Sequence, residues 1–318
     1  MRLKLVETKL ALGGDATLML VGQDMAKLES IAKRLWAEIF VFERQFSRFV
    51  PASELSQFNR QAGVRTKVSA SFLELLQASN AMSALTNQLH NPFILPALQK
   101  NGYSKSAVKG YENDPTDDYR SRKVVSPELL HIDEDGFVTI PIHTAIDMGG
   151  CGKGYLLDKL SKLLEAEDVD GYWLSLSGDI VCAGKDSEAE TWRTTIQVAD
   201  ETSELPYIET SGAPLGIATS GTFRRDSHAT KAQGWHHIID PATGKPGTTD
   251  IKLATVVAKS AIQADVLASA AVLLGSEKAQ KFLSGLTEVT DYCLQTEMNT
   301  TTAGKHLHET SKLEGVKA

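Results

Sequence analysis

The chain has 318 residues, of which 42% are hydrophobic and 23% are charged, and its formal net charge is −7 at pH 7. This length and composition are typical of a folded globular protein with a large core. The negative net charge excludes the overall basic surface on which non-specific nucleic-acid binding depends. No segment reaches the roughly 18 apolar residues of a membrane-spanning helix, so we expect no membrane span.

The N-terminus and the cysteines indicate the compartment. The first twenty residues lack a long apolar region, a small-residue cleavage site and a lipid-anchor cysteine. Cys151, Cys182 and Cys293 lie far apart in the sequence, which favours reduced thiols over a disulfide framework or a zinc cluster. We therefore expect a cytoplasmic protein.

The spacing of apolar residues predicts the elements of the first half of the chain. The pattern indicates a strand over residues 16–20, a helix over 27–46, a short helix from Glu54 with Ser53 as its cap, and a helix over 71–86. Residues 104–128 are polar and rich in Lys, Asp, Tyr and Pro, which predicts a long surface connection.

The second half alternates more predicted strands with two helices. Strands are predicted over residues 136–147, 171–184, 192–200, 216–225 and 251–258, and helices over 155–167 and 261–274. Because many strands have hairpin-like spacing, the sequence predicts an α+β fold rather than a doubly wound parallel sheet. We expect one domain of two entwined lobes over residues 1–298, and a polar, flexible tail over 299–318.

A glycine-rich turn carries the first chemical signal. Gly149, Gly150, Gly152 and Gly154 surround Lys153 between a predicted strand and a predicted helix. Glycines allow backbone N–H groups to approach a ligand, and the positive end of a helix favours an anion such as phosphate. The spacing matches neither GxGxxG nor GxxxxGK[ST]. A turn that serves only tight strand-to-helix packing is the alternative.

Asp265 carries the second signal, because it is the only carboxylate in the apolar helix "AIQADVLASAAVLL". Ser260 and Gln263 form a predicted capping box at the start of this helix, and Gly275 is its predicted end. Ser269 lies one turn after Asp265 on the same face, where both side chains could bind a hard cation such as Mg²⁺. The alternative is that Asp265 faces solvent.

Two adjacent histidines precede a tightly specified turn in "WHHIIDPATGKP", residues 235–246. In a strand, His236 and His237 would point to opposite faces, so at most one faces a given site. An imidazole beside such a turn could act as a general base near neutral pH, and a hydrogen-bonded strand histidine is the alternative. "SGD" (177–179) and "ATSGTFRR" (218–225) add small residues and hydrogen-bond donors at strand ends, which suit a backbone that contacts a ligand.

Six stretches together, in this order, resemble the ApbE family of FAD:protein FMN transferases, which have a T-fold-like α+β architecture of mixed, largely antiparallel sheets with packed helices. The stretches are "FSRFVPASELSQFN" (46–59), "DMGGCGKGYLLD" (147–158), "SGD" (177–179), "ATSGTFRR" (218–225), "HIIDPATGKP" (237–246) and "ADVLASAAVLLG" (264–275). The resemblance implies FAD as the donor, Mg²⁺ as the metal, and transfer of FMN to a Thr or Ser hydroxyl of a target flavoprotein with release of AMP.

The resemblance also implies roles for individual residues. It implies His237 and Asp265 as catalytic residues, with His237 as the base, and the Gly152 carbonyl, Asp265 and Ser269 as metal ligands. The implied FAD-binding residues are Gly150, Gly152, Lys153, Gly154, Ser177, Gly178, Asp179, Thr219, Ser220, Gly221, His237 and Asp240. His236 has no implied role. The family's Gly-x-Phe-Asp-Pro-Thr segment is replaced by residues 90–103, which we expect to shape the flavin or acceptor side differently.

Two other functions use the same residues. The first is a pyrophosphatase, in which water replaces the protein hydroxyl and FAD is cleaved to FMN and AMP. The second is a non-catalytic FAD-binding protein. Turnover without an acceptor would indicate the first, and the absence of any FMN or AMP would indicate the second.

Overall fold

The computed structural model describes residues 2–103, 117–198, 206–222 and 236–308. In chain order its strands are β1 (Leu3–Ala11), β2 (Gly14–Gly22), β3 (Thr66–Lys67), β4 (His131–Ile132), β5 (Phe137–Thr139), β6 (Gly171–Leu176), β7 (Asp179–Gly184), β8 (Trp192–Thr195), β9 (Tyr207–Thr210), β10 (Leu215–Gly221), β11 (Ile239–Asp240), β12 (Lys245–Pro246), β13 (Ile251–Ala258), β14 (Val289–Thr296), β15 (Thr300–Ala303) and β16 (Leu307–His308). The helices are α1 (Met25–Phe46), α2 (Glu54–Arg60), α3 (Ala70–Leu85), α4 (Leu95–Lys100), α5 (Gly152–Glu165), α6 (Ala261–Leu274) and α7 (Ser276–Ser284), with 3₁₀ turns at Pro92–Ile94 and Pro127–Leu129.

Eight strands form the central sheet in the order β1-β2-β6-β7-β10-β13-β14-β15. Each neighbouring pair in this sheet is antiparallel. Three small antiparallel sheets accompany it: β3-β5-β4, β11-β12 and β16-β9-β8. The predicted α+β class is therefore confirmed.

The inner strands of the central sheet, such as β6, β7 and β13, are buried on both faces. Ala254, Val256 and Ala258 of β13 pack into the cluster that contains the apolar residues of α6, whereas Val257 belongs to a cluster with Trp192 of β8. Because successive strand residues point to opposite faces, a strand covered on both sides reads as one continuous apolar run, as β13 does. The helices thus cover one face, and the sheet β16-β9-β8 covers part of the other.

Five of the seven described α-helices were predicted, because their signals are local, whereas α4 and α7 were not. Asp24 accepts from the backbone N–H groups of Ala26 and Lys27 at the start of α1, and Ser53 caps α2 as expected. The helix predicted over 261–274 matches α6, whose cap Ser260 accepts from the N–H of Gln263. Among the described helices, none combines the length and the apolar character needed to cross a bilayer.

Two predictions about the strands and the tail were wrong. The strand predicted over 136–147 ends at Thr139. Further along this segment, the side chain of Asn59 hydrogen-bonds both the N–H and the carbonyl oxygen of Ile146, at 2.8 Å each. These are the hydrogen bonds that a neighbouring strand would otherwise make. The tail predicted from residue 299 is structured as far as residue 308, because β15 pairs with β14 and β16 pairs with β9. Residues 309–318 and 104–116 lie outside the described residues.

Candidate active site

A cavity of about 840 Å³ opens where several turns and strand ends meet, large enough for a nucleotide-sized ligand. The β1–β2 turn, the glycine turn before α5, the β6–β7 turn, β8, β10 and α6 all contribute to its wall. The predicted site residues on this wall are Gly150, Gly152, Lys153, Ser177, Gly178, Asp179, Thr219, Ser220, Gly221, His237, Asp265 and Ser269. These residues come from five separate sequence stretches, which all contribute to one cavity.

The glycine turn leads directly into α5, whose positive end faces the cavity. α5 begins at Gly152, three residues earlier than predicted, and Gly149 and Gly150 are exposed in the preceding turn. Lys153 contacts the carboxylate of Asp179 and lies 3.9 Å from Oδ2 of Asp265. One cation and the N-terminus of a helix thus lie beside two carboxylates, an arrangement that can hold an anionic group together with a cation.

Asp265 is buried, with 5% of its surface exposed, so the alternative of a solvent-facing Asp265 is wrong. Its Oδ2 accepts a hydrogen bond from the backbone N–H of Gly154 at 3.2 Å. A buried carboxylate is costly unless hydrogen bonds or a cation compensate it. Its position on the cavity wall leaves it accessible to a bound ligand.

Hydroxyl groups surround this carboxylate side of the cavity. Ser269 Oγ lies 2.9 Å from Ser220 Oγ, and Thr219 Oγ1 lies 2.8 Å from Thr255 Oγ1. Together with Asp265 they form a set of hard oxygen donors, the chemistry that Mg²⁺ prefers. Within the described residues, no group of three or more His, Cys, Asp or Glu side chains is arranged to hold a metal. A metal here would therefore depend on hydroxyl and backbone oxygens as well as on Asp265.

The β6–β7 turn brings "SGD" to the cavity through left-handed backbone. Ser177 has φ 54° and Gly178 has φ 97°, as a two-residue hairpin turn of type I′ requires. This conformation is uncommon for a serine, and no described residue makes a hydrogen bond to the buried Ser177 Oγ. The turn places Asp179, which is 5% exposed, next to Lys153.

The two histidines separate as predicted, although they do not lie in a strand, since β11 begins only at Ile239. His237 lies on the cavity wall, with its ring centroid 6.2 Å from that of Tyr103. His236 is buried away from the cavity, where its Nε2 lies 2.9 Å from the carbonyl oxygen of Gly247 and burial lowers its pKa. Of these two histidines, only His237 therefore faces a ligand in the cavity.

Gly154 and Asp240 do not line the cavity, contrary to what the family resemblance implies. A Cβ atom on Gly154 would lie 2.5 Å from Cα of Ile262, so this glycine allows α5 to pack closely against α6. Asp240 instead holds the turn that follows it, because its Oδ1 accepts from the N–H of Ala242 at 2.9 Å. The packing alternative considered for the glycine turn thus holds at Gly154.

Several cavity residues were missed in the sequence. Arg48, His90, Tyr103, Asp147 and Thr255 lie on the wall without having been identified individually. Arg48 and Asp147 fall within the stretches that carry the family resemblance, and His90 and Tyr103 bound the segment expected to differ. His90 is buried, and burial lowers its pKa to about 4, so it is neutral at pH 7.

Comparison with known proteins is consistent with this geometry. A family model described as the ApbE family matches residues 12–293. The FAD:protein FMN transferase of Klebsiella pneumoniae (strain 342) is 28% identical over 274 residues, which cover 82% of this chain and 76% of the relative. The enzyme of the same name from Salmonella typhimurium is 24% identical over 268 residues, with the same coverage.

Two solved structures show the same fold. The flavin transferase ApbE from Vibrio cholerae has a TM-score of 0.78 and 22% identity, and the match covers 95% of this chain and 97% of that one. The apbe protein from Thermotoga maritima has a TM-score of 0.79 and 20% identity, with 97% of each chain covered.

Proposed function

Because this chain belongs to the ApbE family, we propose that it is a Mg²⁺-dependent FAD:protein FMN transferase. It would attach FMN through a phosphoester to a Thr or Ser of a target flavoprotein and release AMP. The observation that carries the proposal is the convergence of Asp265, Ser269, the glycine turn and His237 on one cavity. Each of these groups has a part in cleaving a pyrophosphate and transferring a phosphoryl-linked group.

The donor set fits a hard divalent cation. Asp265 and Ser269 would hold the metal, which when bound neutralises charge on the pyrophosphate oxygens. A backbone carbonyl of the glycine turn would add a further oxygen. Gly152 was the implied position, but it is the first residue of α5, where a carbonyl normally accepts the N–H four residues on. Gly150, exposed just before the helix, is a second position for this ligand.

The glycine turn and Lys153 would bind the pyrophosphate. Backbone N–H groups at the start of α5 and the Lys153 ammonium group are donors for phosphoryl oxygens. Lys153 is close to both Asp179 and Asp265, so its charge lies beside the proposed metal ligands. The turn and the lysine would hold the phosphorus atom that joins FMN in position for attack.

His237 would accept the proton of the acceptor hydroxyl at a ring nitrogen. The hydroxyl oxygen forms a new bond to the phosphorus on the FMN side, and the bond from that phosphorus to the bridging oxygen breaks. AMP leaves with the electron pair of that bond. An imidazole is suited to this proton transfer near neutral pH.

The test is to incubate the protein with FAD, MgCl₂ and a candidate acceptor domain, and to measure FMN addition to a Thr or Ser by mass spectrometry. We expect labelling that EDTA abolishes and that His237→Ala lowers by about 10²-fold or more, the usual contribution of a general base. His236→Ala is the matched control, because this histidine is buried outside the cavity. Equal losses in the two variants would contradict the role of His237.

The same assay separates the alternative functions. AMP release without acceptor labelling would identify a pyrophosphatase, and FAD binding without AMP or FMN formation would identify a binding protein. The cytoplasmic location expected from the N-terminal sequence stays a prediction.

A further inference from the structure

Arg48 is a buried cation on the wall of the cavity. It follows the C-terminal end of α1, and only 9% of its surface is exposed. Its guanidinium carbon lies 4.3 Å from the ring centroid of Phe49 and 4.5 Å from that of Tyr103. The side chain thus packs against two aromatic rings, which restrict its freedom to move.

The hydrogen bonds of Arg48 use only part of its donor capacity. Nη1 donates to the carbonyl oxygen of Tyr103 at 3.0 Å, and Nε lies 3.4 Å from Oδ1 of Asp147. Nη2 is buried and has no hydrogen-bond partner among the described residues. A buried, charged donor without an acceptor is costly, because it has lost its hydration without replacement.

Asp147 connects this arginine to the glycine turn. Its Oδ2 accepts a hydrogen bond from the N–H of Gly149 at 3.1 Å, while Oδ1 faces Arg48. Arg48 therefore lies between the turn on one side and the rings of Phe49 and Tyr103 on the other. A ligand that spans this part of the cavity would bring an acceptor within reach of Nη2.

We propose that Arg48 is a recognition residue whose Nη2 donates a charge-assisted hydrogen bond to an oxygen of bound FAD. The inference rests on the proposed function, since it takes FAD as the ligand of the cavity. Two kinds of oxygen in FAD have the required chemistry: a phosphate oxygen, which the link to the glycine turn favours, and a carbonyl oxygen of the isoalloxazine ring, which the aromatic neighbours favour. Both would satisfy the unpaired donor.

A bracing role is the competing explanation. Arg48 holds the carbonyl and the ring of Tyr103, so it could serve only to fix that segment. Bracing alone predicts a loss of stability in Arg48 variants without a selective loss of ligand affinity. Recognition predicts that affinity falls even in variants that remain folded.

The experiment measures the dissociation constants of riboflavin, FMN and ADP by isothermal titration calorimetry with Mg²⁺ present, for the wild type, Arg48→Lys and Arg48→Met. These ligands are parts of FAD that cannot undergo transfer. We expect Arg48→Met to weaken binding by about tenfold or more, the typical effect of losing a hydrogen bond to a charged group. Weaker riboflavin and FMN binding would indicate the isoalloxazine carbonyl, whereas weaker ADP binding with unchanged riboflavin binding would indicate a phosphate.

Arg122→Met is the matched control. The Arg122 guanidinium lies 4.5 Å from the ring centroid of Tyr119 and donates to the carbonyl oxygens of Asn59 and Thr144, but Arg122 is not on the cavity wall. Its replacement should lower the melting temperature and leave all three affinities unchanged. Arg48→Lys keeps the positive charge, and it replaces Arg48→Met in the affinity measurements if Arg48→Met does not fold.

Unchanged affinities in a folded Arg48 variant would overturn the inference. If the wild type still transfers FMN to an acceptor in that case, the proposed function stands and only the role of Arg48 fails. If the wild type binds neither FAD nor any of its parts, the inference and the proposed function fail together.

Discussion

His90 makes stability depend on pH. Its imidazole is buried, with Nε2 2.9 Å from Ser79 Oγ, and burial lowers its pKa to about 4 from an ordinary value of 6.5. Between pH 6.5 and 4 the unfolded chain therefore binds the proton more readily, so the folded state loses stability as the pH falls through this window. The full effect is roughly 3 kcal/mol.

We expect His90→Gln to remove this dependence. The difference in unfolding free energy between wild type and variant, measured by urea denaturation, should shrink as the pH is lowered from 7 to 4.5. His131→Gln, at an exposed strand position, is the control and should leave the pH profile of the wild type unchanged. A His90→Gln profile parallel to that of the wild type would show that the imidazole is not kept neutral.

Single residues differ in how well the sequence indicates them. Asp265 and His237 could be singled out because a carboxylate among apolar residues and a histidine beside a specified turn are local signals. Arg48 sits in "FSRFVP", where nothing distinguishes a buried guanidinium from a surface one. Its burial arises from Tyr103 and Asp147, which are distant in sequence, so spacing could not reveal it.

The contact between α5 and α6 determines where Asp265 lies. A Cβ atom on Gly154 would lie 2.5 Å from Cα of Ile262 and 2.6 Å from the carbonyl oxygen of Ala261, and these backbone atoms cannot move alone. We expect Gly154→Ala to separate the two helices, to cost roughly 1–3 kcal/mol of unfolding free energy, and to weaken Mg²⁺ binding measured by calorimetry. The N–H of Gly154, which donates to Asp265, would move with the backbone.

Gly152→Ala is the matched control for that change. A Cβ atom there would lie 3.5 Å from the ring of Phe42 and 3.8 Å from Cβ of Met148, which are ordinary contacts. Since alanine is the better helix former by up to about 1 kcal/mol, this variant should be as stable as the wild type or more stable. Equal destabilisation of both variants would show that the helix start, rather than the α5–α6 contact, is the sensitive feature.

Asp158 joins the same two helices and has the opposite pH dependence. Its oxygens accept from the N–H groups of Ala261 and Ile262 at 2.6 and 3.0 Å, and burial raises its pKa to about 6. The folded chain therefore binds the proton more readily between about pH 4 and 6, so this contribution to stability is lost as the pH rises through that window.

We expect Asp158→Asn, which cannot ionise, to be less stable than the wild type at pH 4. The difference in unfolding free energy between the wild type and this variant should diminish by roughly 3 kcal/mol between pH 4 and 7. Urea denaturation in EDTA at several pH values measures it, and a deficit that does not change with pH would contradict the raised pKa.

Across the whole molecule, the sequence predicted the class of fold and most helices, but physical reasoning from spacing could not predict the assembly of the cavity. Helices depend on caps and periodicity within a few residues, as at Ser53 and Ser260. The cavity depends on the order of eight strands, in which β2 pairs with β6 and β7 pairs with β10. From the sequence alone, only the family resemblance indicated that the six stretches contribute to one site.

The C-terminal segment is the clearest case of non-local structure. Asp291 on β14 is almost fully buried, and its two oxygens accept hydrogen bonds from the N–H and from Nδ1 of His306, both at 2.7 Å. A Cβ atom on Gly304 would lie 2.0 Å from Oδ1 of Asp291, so only glycine fits beside this carboxylate. The segment then adds β16 to β9, which pairs with β8 on the cavity wall.

We expect a chain that ends at Met298 to lose several kcal/mol of unfolding free energy, because β14 loses its pairing with β15 and Asp291 loses the two hydrogen bonds from His306. FAD should also bind more weakly, because β8 carries Arg193, Thr194 and Thr195 on the cavity wall and would lose the support of β16 through β9. His306→Ala should reproduce most of the stability loss, whereas His308→Ala, at a half-exposed position, should change it by less than about 0.5 kcal/mol. If the shortened chain matched the full chain in both stability and FAD affinity, residues 299–308 would be the dispensable tail that their composition suggests, and the cavity would not depend on them.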